Sequence, residues 1–150
     1  MSDQEQQQPV PVFNIEKIYI KDLSVEVPNA PAIFLEREAP QIDLQIHTSS
    51  EQVQDGIYQT VIALTINAKI QDKTAFLVEM QQAGIFRIEN IPAEAMGPAI
   101  GVGCPNVLFP YAREAVSDAV MKAGFPPLMM QPVNFEMLYL QQQAQAQKPN

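Results

Sequence analysis

From Phe13 to Ile88 apolar and polar residues alternate with a period of two, the pattern of strands buried on one face. Phe13, Ile15, Tyr19, Leu23, Val25 and Val27 share one parity, and Asp22, Ser24 and Glu26 share the other. Ile18 and Ile20 interrupt that alternation, which predicts a first strand covered on both faces. Ile42, Leu44 and Ile46 alternate with Asp43, Gln45 and His47 in a second strand. Tyr58, Ile62, Leu64, Ile66 and Ile70 mark a third, with Thr60 and Ala68 on the same parity. A fourth begins near Thr74 and sets Phe76, Val78 and Met80 opposite Leu77 and Glu79. Asp55-Gly56 and Gln71-Asp72-Lys73 supply short turns, so strands two to four read as an antiparallel meander. The segment from Pro28 to Pro40 is too long and proline-rich for a hairpin. It reads as a crossover loop, unusual in carrying Ile33, Phe34 and Leu35.

Beyond the strands the period becomes helical. After Pro110, the residues Ala112, Ala115, Val116, Ala119 and Val120 form one stripe, with Arg113, Glu114, Asp118 and Lys122 outside it. Gly124 and then Pro126 end this helix. Asn134 is a capping residue for a second helix, with Val133 and Leu138 spaced as a hydrophobic staple. Strands followed by helices predict an α+β fold: a four-stranded antiparallel sheet, a long crossover loop after strand 1 and two C-terminal helices. Residues 1–11 are expected to be a disordered tail and 141–150 a flexible Gln/Ala-rich one, around a single domain at 12–140.

Composition narrows the function. At 150 residues with 47% hydrophobic content, one domain with a true core is possible. Nine basic against 17 acidic residues leave a net charge of -8, which repels phosphate backbones and disfavours nucleic acid as a partner. No apolar run approaches the ~20 residues of a membrane span, and the polar N-terminus lacks the pattern of a signal peptide. The single cysteine, Cys104, excludes an intramolecular disulfide framework. These absences favour a cytoplasmic protein.

Chemistry finds little support. A Cys–His nucleophile would need both Cys104 and His47, the sole residues of their types. His47 lies on the polar parity of a strand, and Cys104 sits in an apolar neighbourhood where a cysteine acts as a small hydrophobe. One histidine and one cysteine do not make a zinc site, and the acidic residues show no ordered ligand spacing. Gly97, Gly101 and Gly103 lack the lysine and the strand–turn–helix setting of a phosphate loop, which favours packing around a helix start. No cofactor is implied. Two apolar loops carry more information: Ile33-Phe34-Leu35, and the proline-bracketed set Phe125, Leu128, Met129 and Met130. Such side chains either cap the core or line a binding groove.

Several segments, in order, resemble one family. Ile18-Tyr19-Ile20-Lys21-Asp22 leads to Glu26-Val27-Pro28-Asn29-Ala30-Pro31. Thr74-Ala75-Phe76-Leu77-Val78-Glu79 precedes Gln81-Gln82-Ala83-Gly84-Ile85-Phe86, and Cys104-Pro105-Asn106-Val107-Leu108-Phe109-Pro110-Tyr111-Ala112-Arg113-Glu114 comes next. Gly124-Phe125-Pro126-Pro127 and Pro132-Val133-Asn134-Phe135 complete the set. The chain, over about residues 13 to 140, resembles SecB, the bacterial protein-export chaperone family.

That resemblance implies a dimer of dimers, a homotetramer that holds unfolded preproteins without ATP and passes them to the ATPase SecA for export across the inner membrane. It implies no catalysis and no direct membrane insertion. It places a client groove along the crossover loop, the second strand and the loop between the helices, with Ile33, Phe34, Ile42, Leu44, Ile46, Phe125, Leu128 and Met130 as lining. It places a SecA contact at Asp22, Glu26, Leu77 and Glu79, where the basic zinc-bearing tail of SecA would bind; the zinc belongs to SecA. Val78, Met80 and Gln82 resemble positions linked to dimer–tetramer assembly, or serve ordinary packing. The tail after Tyr139 departs from relatives that end in acidic residues, which puts an auxiliary SecA contact there in doubt. A general antifolding or stress chaperone on the same scaffold is the main alternative, and a small enzyme using Cys104 the other.

Overall fold

The computed structural model describes residues 9–147. Strands β1 (Val12–Glu26), β2 (Gln41–Gln54), β3 (Ile57–Ile70) and β4 (Lys73–Glu89) form one antiparallel sheet in the order β1-β4-β3-β2. The expected meander of strands two to four is present, and β1 joins its far edge beside β4. The link from β1 to β2 therefore crosses the full width of the sheet, through a 3-10 turn at Ala32–Leu35. Gly56 and Gln71 adopt the left-handed conformation, φ +75° and +55°, that the two tight turns demand.

Two-sided cover does not explain the interruption at Ile18 and Ile20. The register of β1 against β4 slips by one residue between Ile15 and Lys17 and again between Ile20 and Asp22. Each slip is a bulge, and each extra residue reverses the parity of the strand beyond it. Phe13, Ile15, Ile18, Ile20, Leu23 and Val25 consequently all face one side, opposite Ile88, Phe86, Gly84, Gln82, Met80 and Val78. Tyr19 is placed on the other face instead, where its hydroxyl bonds Gln59. Both bulges are tied down. The Glu16 carboxylate accepts from Arg87 Nε on β4 at 2.9 Å, and Gln82 Nε2 donates to the Tyr19 carbonyl at 3.1 Å.

The helices begin earlier than proline spacing suggests. A short α1 (Ala93–Pro98) and a π turn (Ala99–Gly103), without counterpart in the expected pair of helices, run into α2 (Cys104–Lys122). Pro110 lies inside α2 on an exposed position rather than before it. Burial of Leu108, Phe109, Ala112, Ala115 and Val116 along one stripe outweighs the backbone hydrogen bond that Pro110 cannot donate. α2 packs across β4 and β3, with Leu108 seated over Gly84: a Cβ there would come within 2.7 Å of Leu108 Cδ2. Ile62, Leu64, Ile66, Val78, Met80, Phe86, Cys104, Val116 and Val120 complete this core. Each large apolar side chain so buried contributes ~1.5–3 kcal/mol before ordering costs.

α3 (Phe135–Ala146) opens as expected, with Asn134 Oδ1 accepting from the Met137 N–H at 3.0 Å. Phe135 anchors it edge-on against Phe109, with ring centroids 5.7 Å apart. A Cβ at Gly97 would strike the Tyr139 hydroxyl and one at Gly101 its ring, so these glycines serve close packing of α3. α3 continues through Ala146, within the segment expected to form a tail; residues 1–8 and 148–150 of the two expected tails lie outside the described residues. Among the described residues no helix is long and apolar enough to cross a membrane.

Candidate functional site

The crossover loop and the α2–α3 loop meet at the end of the sheet where β3 turns into β4. Between them lies a groove with a cavity volume of about 540 Å³. Its lining brings together Ile33, Phe34, Ile42, Phe125 and Leu128 from the expected set. Phe34 and Phe125 face each other with centroids 5.1 Å apart, and Phe125 meets Phe76 at 4.9 Å. Ile42 and Leu44 are 42% and 38% exposed, and Ile46 is half-buried, so the second strand is not sealed into the core. Their partners across β3 are Ala68, Ile66 and Leu64, which places all three on the helix side of the sheet. As an edge strand, β2 also presents unpaired backbone groups along its outer side.

Met130 does not join this lining: it is buried within the core cluster and anchors the α2–α3 loop from beneath. Leu44 and Ile46 lie further along β2, outside the groove's own lining. Phe76 and Ile70 line the groove from core-facing strand positions, which periodicity alone does not reveal. Gly124, expected only to terminate a helix, lines it as well. Glu36, Arg37 and Glu38 edge the groove with charge, and Gln71 Nε2 donates to Glu38 at 3.3 Å.

The opposite face of the sheet gathers the second expected set. Glu26 pairs directly with Leu77, Ser24 with Glu79, and Asp22 with Gln81. Asp22, Glu26, Leu77 and Glu79 therefore share one face, with the carboxylates exposed around a half-buried Leu77. Among the described residues none of these three carboxylates is held in an ion pair. Val78, Met80 and Gln82 point the other way and are buried within this chain.

Catalytic chemistry gains nothing from the geometry. Cys104 is buried where α2 meets the sheet, and burial pushes its pKa up to about 11. A thiolate nucleophile needs the opposite shift. His47 is exposed on the other face of the sheet, opposite Ala63. Among the described residues no three His, Cys, Asp or Glu side chains are grouped to hold a metal ion.

Comparison with known proteins decides the family. The family model described as "SecB: Preprotein translocase subunit SecB" matches residues 4–146. The chain belongs to the SecB family. Among SecB proteins, it is 61% identical to the protein-export protein SecB of Dechloromonas aromatica, with 96% of this chain and 95% of that one covered. It is 58% identical to the protein-export protein SecB of Thiobacillus denitrificans, covering 99% and 94%. A SecB-like chaperone of Mycobacterium tuberculosis, solved in complex with a ChAD peptide from the HigA1 antitoxin, shares the fold. Its TM-score is 0.66 at 18% identity, over 81% of this chain and 90% of that one.

Proposed function

We propose that this chain is an ATP-independent export chaperone, which holds precursor proteins unfolded in the cytoplasm and hands them to SecA. The observation that carries this reading is the open, aromatic-walled groove continuing onto an apolar edge strand, in a chain of the SecB family. Such a surface takes an extended, unfolded segment through apolar contact and backbone pairing, neither of which demands a fixed sequence. At ~25 cal/mol per Å² of apolar area, several shallow contacts together outcompete slow folding of the client. No bond is made or broken, so no catalytic residue or cofactor is invoked.

The acidic sheet face supplies the second half of the cycle. A small apolar spot at Leu77 ringed by Asp22, Glu26 and Glu79 suits the basic, zinc-bearing tail of SecA. Four copies of a chain of charge -8 would carry -32, a field that draws basic partners in. Assembly as a dimer of dimers is supported by Phe13, Ile15, Ile20 and Leu23, apolar side chains left exposed along the free edge strand β1.

Two experiments test the reading. Refolding of a slow-folding precursor, without ATP, is expected to stop at about one assembly per client and to resume on dilution. Unimpeded refolding of several precursors by a folded sample would end the proposal. Separately, Glu79→Arg is expected to weaken the SecA tail complex about tenfold at low salt and to flatten its salt dependence. Client holding without any SecA affinity would point instead to a general antifolding chaperone.

A further inference from the structure

The groove wall rests on a position that has no side chain. α2 ends in a two-bond turn: Gly124 N–H donates to the Met121 carbonyl at 3.0 Å, and Phe125 N–H donates to the Val120 carbonyl at 3.2 Å. This closure puts Gly124 in the left-handed region, φ +98°. After glycine, asparagine tolerates left-handed backbone best, although any side chain is strained at this φ. A second feature argues for glycine. Phe34, from the crossover loop, lies over Gly124, so that a Cβ there would come within 2.9 Å of Phe34 Cε1 and 3.1 Å of Cζ. The same ring stacks on Phe125 and lines the groove.

We propose that Gly124 is a positioning residue that sets the aperture of the groove by giving the Phe34 ring its seat. The overlap that a larger residue would create falls on the far edge of that ring. Phe34 is 47% exposed, so the ring swings aside more easily than the backbone shifts. Displacement breaks its contact with Phe125, while Phe76 and Val120 stay buried beneath. A residue added at 124 therefore acts on binding through Phe34, beside a turn strain that is the same with or without that ring. This inference rests on the groove being the client site.

A double-mutant cycle separates the possibilities, with reduced and carboxyamidomethylated ribonuclease A as a permanently unfolded probe. Gly124→Asn in the native background is expected to weaken probe binding about three- to tenfold, the scale of one aromatic contact. In a Phe34→Ala background the same substitution is expected to change binding less than about twofold, because the ring it would displace is gone. Equal losses in both backgrounds would mean that Gly124 acts through the turn alone, and would overturn the proposal. Ring-to-ring nuclear Overhauser contacts between Phe34 and Phe125 provide a readout independent of binding, with Gly124→Ala as a smaller variant. Their persistence in the variants would overturn it too. If Phe34→Ala and Leu128→Asp both leave probe affinity unchanged, the groove is not the client site and the aperture role falls with it. That outcome is distinct from a failed cycle in which those two variants do weaken binding.

Discussion

Cys104 is the side chain whose environment speaks most directly to what this protein does not use. Sealed between α2 and the sheet, it prefers the neutral thiol, and its pKa rises from 9.0 to about 11. Below pH 9 the thiol is neutral in both folded and unfolded chains and contributes no pH dependence. Between pH 9 and about 11 the unfolded chain releases a proton that the folded chain retains, so stability falls as pH rises. The loss should reach on the order of 1–2 kcal/mol by pH 11. Urea unfolding across this window should fall less steeply for Cys104→Ala than for the native protein. Parallel curves would remove Cys104 as the cause. The same burial predicts that alkylating reagents reach this thiol through unfolding and leave client holding untouched by Cys104→Ser.

At the scale of elements, β1 shows how a strand can carry a broken pattern and still present one apolar face. Two bulges reset the alternation, so six apolar residues at uneven spacing all reach the helix side. Removing an inserted residue should therefore do far less harm than removing a paired one. Deletion of Lys21 leaves Leu23 and Val25 opposite Met80 and Val78, whereas deletion of Ser24 would turn Val25 or Leu23 toward the outer face and is expected to expose the β1 amides to rapid hydrogen exchange. Lys21→Ala keeps the register and should change stability by less than about 0.5 kcal/mol. Equal exchange protection in the two deletions would mean that the faces of β1 are not fixed by its register against β4. α2 makes a related point about proline. Pro110 reads as a helix boundary along the sequence, yet its exposed side tolerates the missing donor while the buried stripe continues beneath it.

For the whole molecule, the sheet divides its work between two faces and two edges. The helix side carries the core and, beyond the cover of α2, the groove and the apolar run of β2. The outer side carries the carboxylates around Leu77. β1, at the far edge from β2, leaves apolar residues uncovered, with Ile20 49% exposed. If those residues meet another copy, Ile20→Glu should lower the assembly mass measured by sedimentation while the circular dichroism spectrum stays native. An unchanged mass would place the contacts between copies elsewhere. Because Ile20 faces away from the Leu77 patch, a SecA tail docked there, as proposed, should keep its per-chain affinity in the Ile20→Glu variant.

Local periodicity and turn chemistry were enough to predict the strand count, the meander, the crossover, the cap at Asn134 and the separation of Leu77 and Glu79 from Val78 and Met80. A chain displays such features before it folds. The family was legible too, because ordered segments persist across the chain. Which apolar loop residues meet was settled only in three dimensions. Ile33, Phe34, Ile42, Phe125 and Leu128 converge on one groove, Met130 turns inward, and Phe76 supplies a wall from a buried strand position. The single apolar face of β1 emerged only there as well, since a bulge is visible only against the register of its partner. The role of Gly124 was hidden for the same reason: its neighbour Phe34 lies 90 residues away along the chain, and contact across that distance is set by the path of the crossover over the sheet.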